Sequence, residues 1–224
     1  MNKIPLPNVA LRDNTSQRLP CVLVLDGSGS MNGRPVDELN KGLELLQEEL
    51  NKDDVARQRV QIAVLRFGGD DVVEVLADWT DAIDFSPPTV IADGRTPMGP
   101  AVRTALTMVE EQKERYRDNG IPYNRPWMFI ITDGEPTDLE WEATAAECRQ
   151  AEALGKVSVF CIGTEDANFT KLGKFSSRQA VRLDGLKFRE LFLWLSQSSR
   201  TASQAAQNVQ VQLPSISGWG SAPT

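Results

Sequence analysis

Apolar residues form short continuous runs that alternate along the chain with stretches of helical spacing. A continuous apolar run is typical of a strand buried on both faces of a parallel sheet. The predicted strands occupy residues 21–25, 60–67, 72–76, 127–132, 157–162 and 181–183. Apolar side chains three or four positions apart instead predict amphipathic helices. Such helices occupy residues 35–50, 141–154 and 187–197, and a further helix begins at Pro97.

The alternation of strands and helices determines the expected fold class. Strand–helix–strand units place successive strands parallel, with the connecting helix packed on the sheet. We therefore expect an α/β domain with a Rossmann-like, doubly wound and mostly parallel central sheet that helices cover on both faces. The strand at 72–76 is an expected exception, because the glycine-rich turn at 68–71 pairs it with the preceding strand.

The two ends of the chain differ in composition from its middle. Residues 1–18 are polar and contain prolines, which predicts an N-terminal arm, and residues 19–200 carry the alternating pattern of one domain. Residues 201–224 are rich in Ser, Gln, Ala and Pro and predict a flexible tail. Two alternatives stay open there. The alternation at 209–213 also suits a strand, and Trp219 is a candidate docking anchor.

Composition argues against several classes of function. The chain has 31 acidic and 24 basic residues and a net charge of −7, whereas sequence-independent nucleic-acid binding needs clustered Lys and Arg. It has no histidine, which removes His-based triads and His–metal sites. The three cysteines include no CxxC pair and are expected to be buried, reduced thiols.

Export and membrane signals are missing from the sequence. No long apolar stretch follows Lys3, as a signal peptide would require. No apolar run approaches the roughly 20 residues that span a bilayer. We therefore expect a cytoplasmic protein of bacterial type, without a membrane partner.

Hydroxyl and carboxylate side chains occur where the predicted fold brings three loops together. Asp26 and Asp133 each follow a buried strand, and ligands of doubly wound sheets bind outside the carboxyl ends of the strands. Ser28 and Ser30 alternate with glycines directly after Asp26, and Thr96 ends a long loop. These hard oxygen donors suit Mg²⁺, with Mn²⁺ or Ca²⁺ as alternatives, rather than Zn²⁺ or Cu²⁺. The sequence therefore predicts one metal site built from Asp26, Ser28, Ser30, Thr96 and Asp133.

The charge of these ligands bears on what the ion does. Asp26 and Asp133 carry the only formal charges among them. When other bonds come from neutral hydroxyls and waters, the ion stays electrophilic toward an external carboxylate. This favours recognition of an Asp or Glu on a protein partner, and it predicts no catalytic residue.

The three segments together resemble the metal-ion-dependent adhesion site of von Willebrand factor A (VWA) domains. The resemblance rests on Asp26-Gly27-Ser28-Gly29-Ser30, on Thr96 and on Thr132-Asp133-Gly134, and it covers roughly residues 19–200. It implies the VWA fold and a metal whose open position is taken by a partner's Asp or Glu. The family often has a larger residue where this chain has Gly27, but that position bears no ligand.

A closer resemblance is to the TerY-like branch of tellurium-resistance-associated bacterial proteins. It is carried by 24–31, by 94–99, and by 188–197 with the polar segment that follows. The resemblance implies a bacterial stress-response or defence system and a kinase-like or phosphatase-like partner encoded nearby.

Two other functions remain open. A metal-dependent phosphohydrolase would use Asp26 as its nucleophile, since strand-end aspartates with Mg²⁺ serve that chemistry. Against it, no second carboxylate follows Asp26 at short spacing, and no Lys or His is evident to activate water. The second alternative is a metal-free scaffold, in which residues such as Thr96 only cap helices and turns.

Overall fold

A seven-stranded sheet forms the centre of the protein in a computed structural model that describes residues 14–205 and 212–222. The strands are β1 Leu19–Gly27, β2 Val60–Gly68, β3 Val72–Asp81, β4 Trp127–Thr132, β5 Ser158–Gly163, β6 Val181–Leu183 and β7 Gly220–Ser221. Their order across the sheet is β3-β2-β1-β4-β5-β6-β7. The five inner strands are parallel, whereas β3 and β7 are antiparallel to their neighbours. The predicted α/β class and mostly parallel sheet are therefore confirmed.

Helices cover both faces of the sheet and divide the core into two parts. They are α1 Arg34–Asn51, α2 Ala56–Arg59, α3 Met98–Asp118, α4 Trp141–Ala153, α5 Phe169–Leu172 and α6 Phe188–Gln204. Leu23 and Leu25 of β1 face the core shared with α1 and α6, whereas Val22 and Val24 face the core shared with α3 and α4. Because β1 is buried on both faces, its sequence is a continuous apolar run. No helix within the described ranges is long and apolar enough to cross a membrane.

The register of the central strands brings two predicted site segments together. Leu25 of β1 lies beside Ile131 of β4, so the next residues, Asp26 and Thr132, lie at the same edge of the sheet. The chain then leaves β1 for α1 on one face and leaves β4 for α4 on the other. This divergence opens a crevice at the carboxyl ends of β1 and β4, which is where doubly wound sheets bind ligands.

The described residues of the predicted tail, 201–205 and 212–222, include regular secondary structure. Helix α6 continues to Gln204, beyond the predicted end at 197. Gly220–Ser221 pairs with β6 as strand β7, and Trp219 is buried against Trp194 with 5.3 Å between ring centroids. Trp219 is therefore an internal packing residue and not an exposed docking anchor.

Some predictions concern residues outside the described ranges. Most of the predicted N-terminal arm, residues 1–13, lies there, and so do Val209 and Val211 of the alternating segment. All three cysteines are described; they are free and buried, as predicted.

Candidate metal centre

The side chains of Asp26, Ser28, Ser30 and Asp133 form a connected cluster at the carboxyl ends of β1 and β4. The Ser30 hydroxyl donates to Asp133 Oδ1 at 2.8 Å, and its oxygen lies 3.0 Å from Ser28 Oγ. The Ser28 backbone N–H donates to Asp26 Oδ1 at 2.8 Å. A 3-10 turn at Gly29–Met31 follows Ser28, and within it Ser30 presents its hydroxyl on the same side as that of Ser28.

Thr96 joins this cluster from the third segment. A Cβ placed on Gly134 would lie 3.7 Å from Thr96 Oγ1 and 4.0 Å from Ser30 Oγ, so both hydroxyls border the same small space. The Thr96 N–H donates to Thr137 Oγ1, and the Thr137 N–H donates to the Thr96 carbonyl, both at 3.0 Å. This pair of bonds fixes the Thr96 loop to the loop that follows β4. The structure thus brings all five predicted residues together, and their role as metal ligands stays a prediction.

The Asp26 carboxyl is fully buried, and both of its oxygens are engaged. Oδ1 accepts from the Ser28 N–H, and Oδ2 accepts from the Thr132 hydroxyl. Burial raises the pKa of Asp26 to about 6, although the hydrogen bonds from Ser28 and Thr132 act to lower it. Burial also raises the pKa of Asp133, and repulsion from Asp166 adds to that effect. A cation bound between these two carboxyl groups would stabilise their ionised forms, which burial disfavours.

A loop from Ile91 to Thr96 closes one side of the cluster. The Asp93 N–H donates to the Gly27 carbonyl at 2.8 Å, and the Gly29 N–H donates to the Gly94 carbonyl at 3.0 Å. Gly94 has a φ of 67°, and a Cβ there would lie 1.9 Å from the carbonyl oxygen of Gly69. Only glycine allows this close approach, so the path of the Thr96 loop depends on it.

The donor set fits a hard divalent cation. Within the ranges that the structure describes, no group of three or more His, Cys, Asp or Glu side chains gathers, so an ion here would depend on hydroxyl oxygens as well. Asp26 and Asp133 would supply charge, and Ser28, Ser30 and Thr96 would supply neutral oxygens. Such all-oxygen sites suit Mg²⁺, Mn²⁺ or Ca²⁺ and leave positions for water or an external ligand.

Thr132 and Thr137 support the site, yet neither was predicted as a site residue. Thr132 ends β4 beside β1, so the pairing of these strands would have indicated its contact with Asp26. Thr137 has no comparable signal, because its contact with Thr96 depends on the path of a loop.

Comparisons with known proteins agree with this architecture. The chain is 25% identical over 166 residues to inter-alpha-trypsin inhibitor heavy chain 4 of Mus musculus, an alignment that covers 69% of this chain and 16% of that protein. A von Willebrand factor type A protein from Catenulispora acidiphila superimposes with a TM-score of 0.60 at 18% identity, over 83% of this chain and 43% of that one. The pilus adhesin SpaC from Lactobacillus rhamnosus GG superimposes with a TM-score of 0.64 at 14% identity, over 84% of this chain and 32% of that one.

These relatives are longer than the chain, which spans 16% of the curated protein and less than half of either structure. The structural similarities show only the fold, whereas family membership is shown by a match between the sequence and a family model. The model of the von Willebrand factor type A domain matches residues 21–189, a span that includes all five clustered side chains. The chain therefore belongs to the von Willebrand factor type A domain family.

Proposed function

We propose that this chain is a metal-dependent protein-interaction module that holds one Mg²⁺-type ion and binds an Asp or Glu carboxylate of a protein partner. The convergence of two carboxylates and three hydroxyls from three separate segments carries the proposal. Domains of this family are typically metal-dependent interaction modules, which supports it. When bound, the ion supplies a Lewis-acidic position for an external oxygen.

The five residues would have different roles in holding the ion. Ser28, Ser30 and Thr96 offer neutral oxygens, which add no negative charge beyond that of Asp26 and Asp133, so the ion would still attract a partner's carboxylate. Asp133 is half-buried at the edge of the cluster and is the carboxylate nearer to solvent. Asp26 is fully buried and orients the Ser28 backbone through its hydrogen bond.

The environment of Asp26 supports recognition over turnover. A nucleophilic carboxylate has to be accessible to a substrate, whereas the Asp26 side chain is fully buried. Domains of this family are generally interaction modules. We therefore propose binding without phosphate hydrolysis.

The resemblance to the TerY-like branch supports a more specific biological role. The proposed setting is a bacterial stress-response or defence system of the tellurium-resistance type. The proposed partner is a kinase-like or phosphatase-like protein that presents an acidic side chain to the metal.

Calorimetric titration with MgCl₂ and MnCl₂ tests the metal site. We expect saturable binding to the wild-type protein and none to Asp26→Ala or Asp133→Ala, with the fold retained by circular dichroism. Glu135→Gln is the matched control, because this neighbouring carboxylate pairs with Lys171 and lies outside the cluster. The proposal fails if the wild-type protein binds no divalent ion, or if the double alanine variant binds as the wild type does.

Pull-down experiments with and without chelator test the partner. Complex formation should need the divalent ion and should be lost in Thr96→Ala and in the Ser28→Ala/Ser30→Ala double variant. Moderate salt should weaken it only partly, because a direct bond to the ion is screened less than exposed charge pairs. A partner whose binding survives both chelator and these substitutions would show that the interface lies elsewhere.

A further inference from the structure

We propose that Arg66 and Gly27 act together as a clamp that positions the Thr96 loop for metal binding, an inference that rests on the proposed function. Arg66 lies on β2, makes no hydrogen bond to any of the five clustered side chains within the described ranges, and instead bonds to Ile91 and Asp93 of the Ile91–Thr96 loop. It is therefore a positioning residue.

The Arg66 guanidinium is buried and holds the loop through several bonds. The side chain is only 7% exposed. Its Nε donates to the Ile91 carbonyl at 2.6 Å, and its Nη2 donates to the Asp93 carboxylate and, at 3.2 Å, to the Gly27 carbonyl. Nη1 donates to Glu74 at 3.0 Å, which ties the group to the neighbouring strand β3. One planar cation thus joins β1, β3 and the loop.

Gly27 is what makes room for this side chain. A Cβ at residue 27 would lie 2.5 Å from Arg66 Nε and 2.6 Å from the Ile91 carbonyl oxygen. Contacts this short are not tolerated, so any larger residue would displace the guanidinium, the loop or both. The absence of a side chain at 27 and the presence of arginine at 66 are therefore coupled features of this chain.

The clamp is connected to the metal cluster through the backbone. The segment that Arg66 holds also donates the Asp93 N–H to the Gly27 carbonyl, and Gly94 accepts from Gly29, the residue between the two site serines. Thr96 follows three positions after Asp93. Loss of the clamp would let the loop adopt other positions, so that metal binding would have to select the competent one.

Geometry also makes arginine specific at this position. The acceptors are two carbonyls and two carboxylates arranged around one planar group. A lysine ammonium is a point charge on a flexible stem and cannot reach them all in this arrangement. Arg66→Lys should therefore restore only part of what Arg66→Met loses.

Two measurements on the full chain test the clamp. The first is Mg²⁺ affinity: we expect Arg66→Met and Gly27→Ala each to weaken it about tenfold, the lower range for residues that position metal ligands. The second is hydrogen exchange in metal-free protein. In both variants the amides of Gly29, Asp93 and Arg95, which donate to the carbonyls of Gly94, Gly27 and Gly69, should exchange faster than in the wild type. Arg18→Met is the matched control, because Arg18 is also a buried arginine, pairs with Asp81 at 2.8 Å, and precedes the opposite end of β1.

The combined variant separates coupling from general damage. If Gly27 matters because it accommodates Arg66, adding Gly27→Ala to Arg66→Met should cost less affinity than adding it to the wild type. A wild-type protein that binds Mg²⁺ and an Arg66→Met variant whose affinity lies within about twofold of it would overturn the clamp alone. An equal loss of affinity in Arg18→Met would overturn it as well. A wild-type protein that binds no divalent ion would instead refute the proposed function.

Discussion

Replacing Trp219 by alanine tests whether the C-terminal segment belongs to the folded domain. Trp219 is only 4% exposed and contacts Trp194, whose Nε1 also donates to the Pro214 carbonyl at 2.9 Å. Removing a buried tryptophan costs roughly 3–5 kcal/mol, and the aromatic pair adds about 0.5–1.5 kcal/mol. Against this, the Trp219 Nε1 is buried without a partner among the described residues, a penalty of about 1–3 kcal/mol that the substitution removes. Taking the middle of each range, we expect a net loss of about 3 kcal/mol in the free energy of unfolding.

Urea denaturation followed by circular dichroism measures this loss without relying on tryptophan fluorescence. Trp219→Phe is the matched control, because it keeps most of the apolar contact and removes the unpaired N–H; it should cost less than about 1 kcal/mol. A loss below about 0.5 kcal/mol for Trp219→Ala, the value typical of exposed positions, would show that the segment does not pack on the domain in solution.

Three further outcomes are expected. Glu152→Gln should lower the free energy of unfolding by about 2 kcal/mol at neutral pH, because the Glu152 carboxylate accepts four hydrogen bonds, two of them from Ser177. Although burial of the Glu152 carboxylate acts to raise its pKa, these bonds lower it overall, so the stabilisation is present above the unfolded pKa and is lost as pH falls through the folded one. Urea denaturation at several pH values should therefore show the variant converging on the wild type in acid; a constant gap would contradict this. A phosphatase screen with Mg²⁺ should show no turnover, and activity that disappears in Asp26→Asn would favour the enzyme alternative. Burial raises the pKa of Cys21 and of Cys148 to about 12, so thiol reagents should modify the native protein slowly and all three cysteines rapidly in urea.

The sequence indicated the inner strands well and the edges of the fold poorly. Strand β4 was predicted at its observed bounds, because burial on both faces requires a continuous apolar run. Strand β3 extends to Asp81, beyond its predicted end at 76, because it is an edge strand whose half-exposed residues carry a weak pattern. Strand β7, Gly220–Ser221, contains residues with no strand preference, so only its pairing with β6 reveals it.

Helix α6 shows why hydrophobic periodicity can end before the helix does. Its second half buries Ser198, Ser199 and Ser203, small polar residues that do not register as an apolar face. The candidate site shows the same limit. Asp26 and Asp133 follow from strand ends, whereas the contacts of Thr137 and Arg66 depend on loops whose paths no local pattern specifies.

The separation in sequence of the clustered residues makes the site a reporter of folding. Ser30 and Asp133 are 103 positions apart, and Asp26 and Thr132 are 106 apart, yet each pair is hydrogen-bonded. A denatured chain would have to close a loop of that length before these groups could meet, and it gains nothing to offset the lost entropy. An ion that binds only the assembled cluster therefore shifts the folding equilibrium by mass action, by about 2.7 kcal/mol when the free ion is at 100 times its Kd. Resistance to proteolysis should accordingly follow the concentration of free divalent metal.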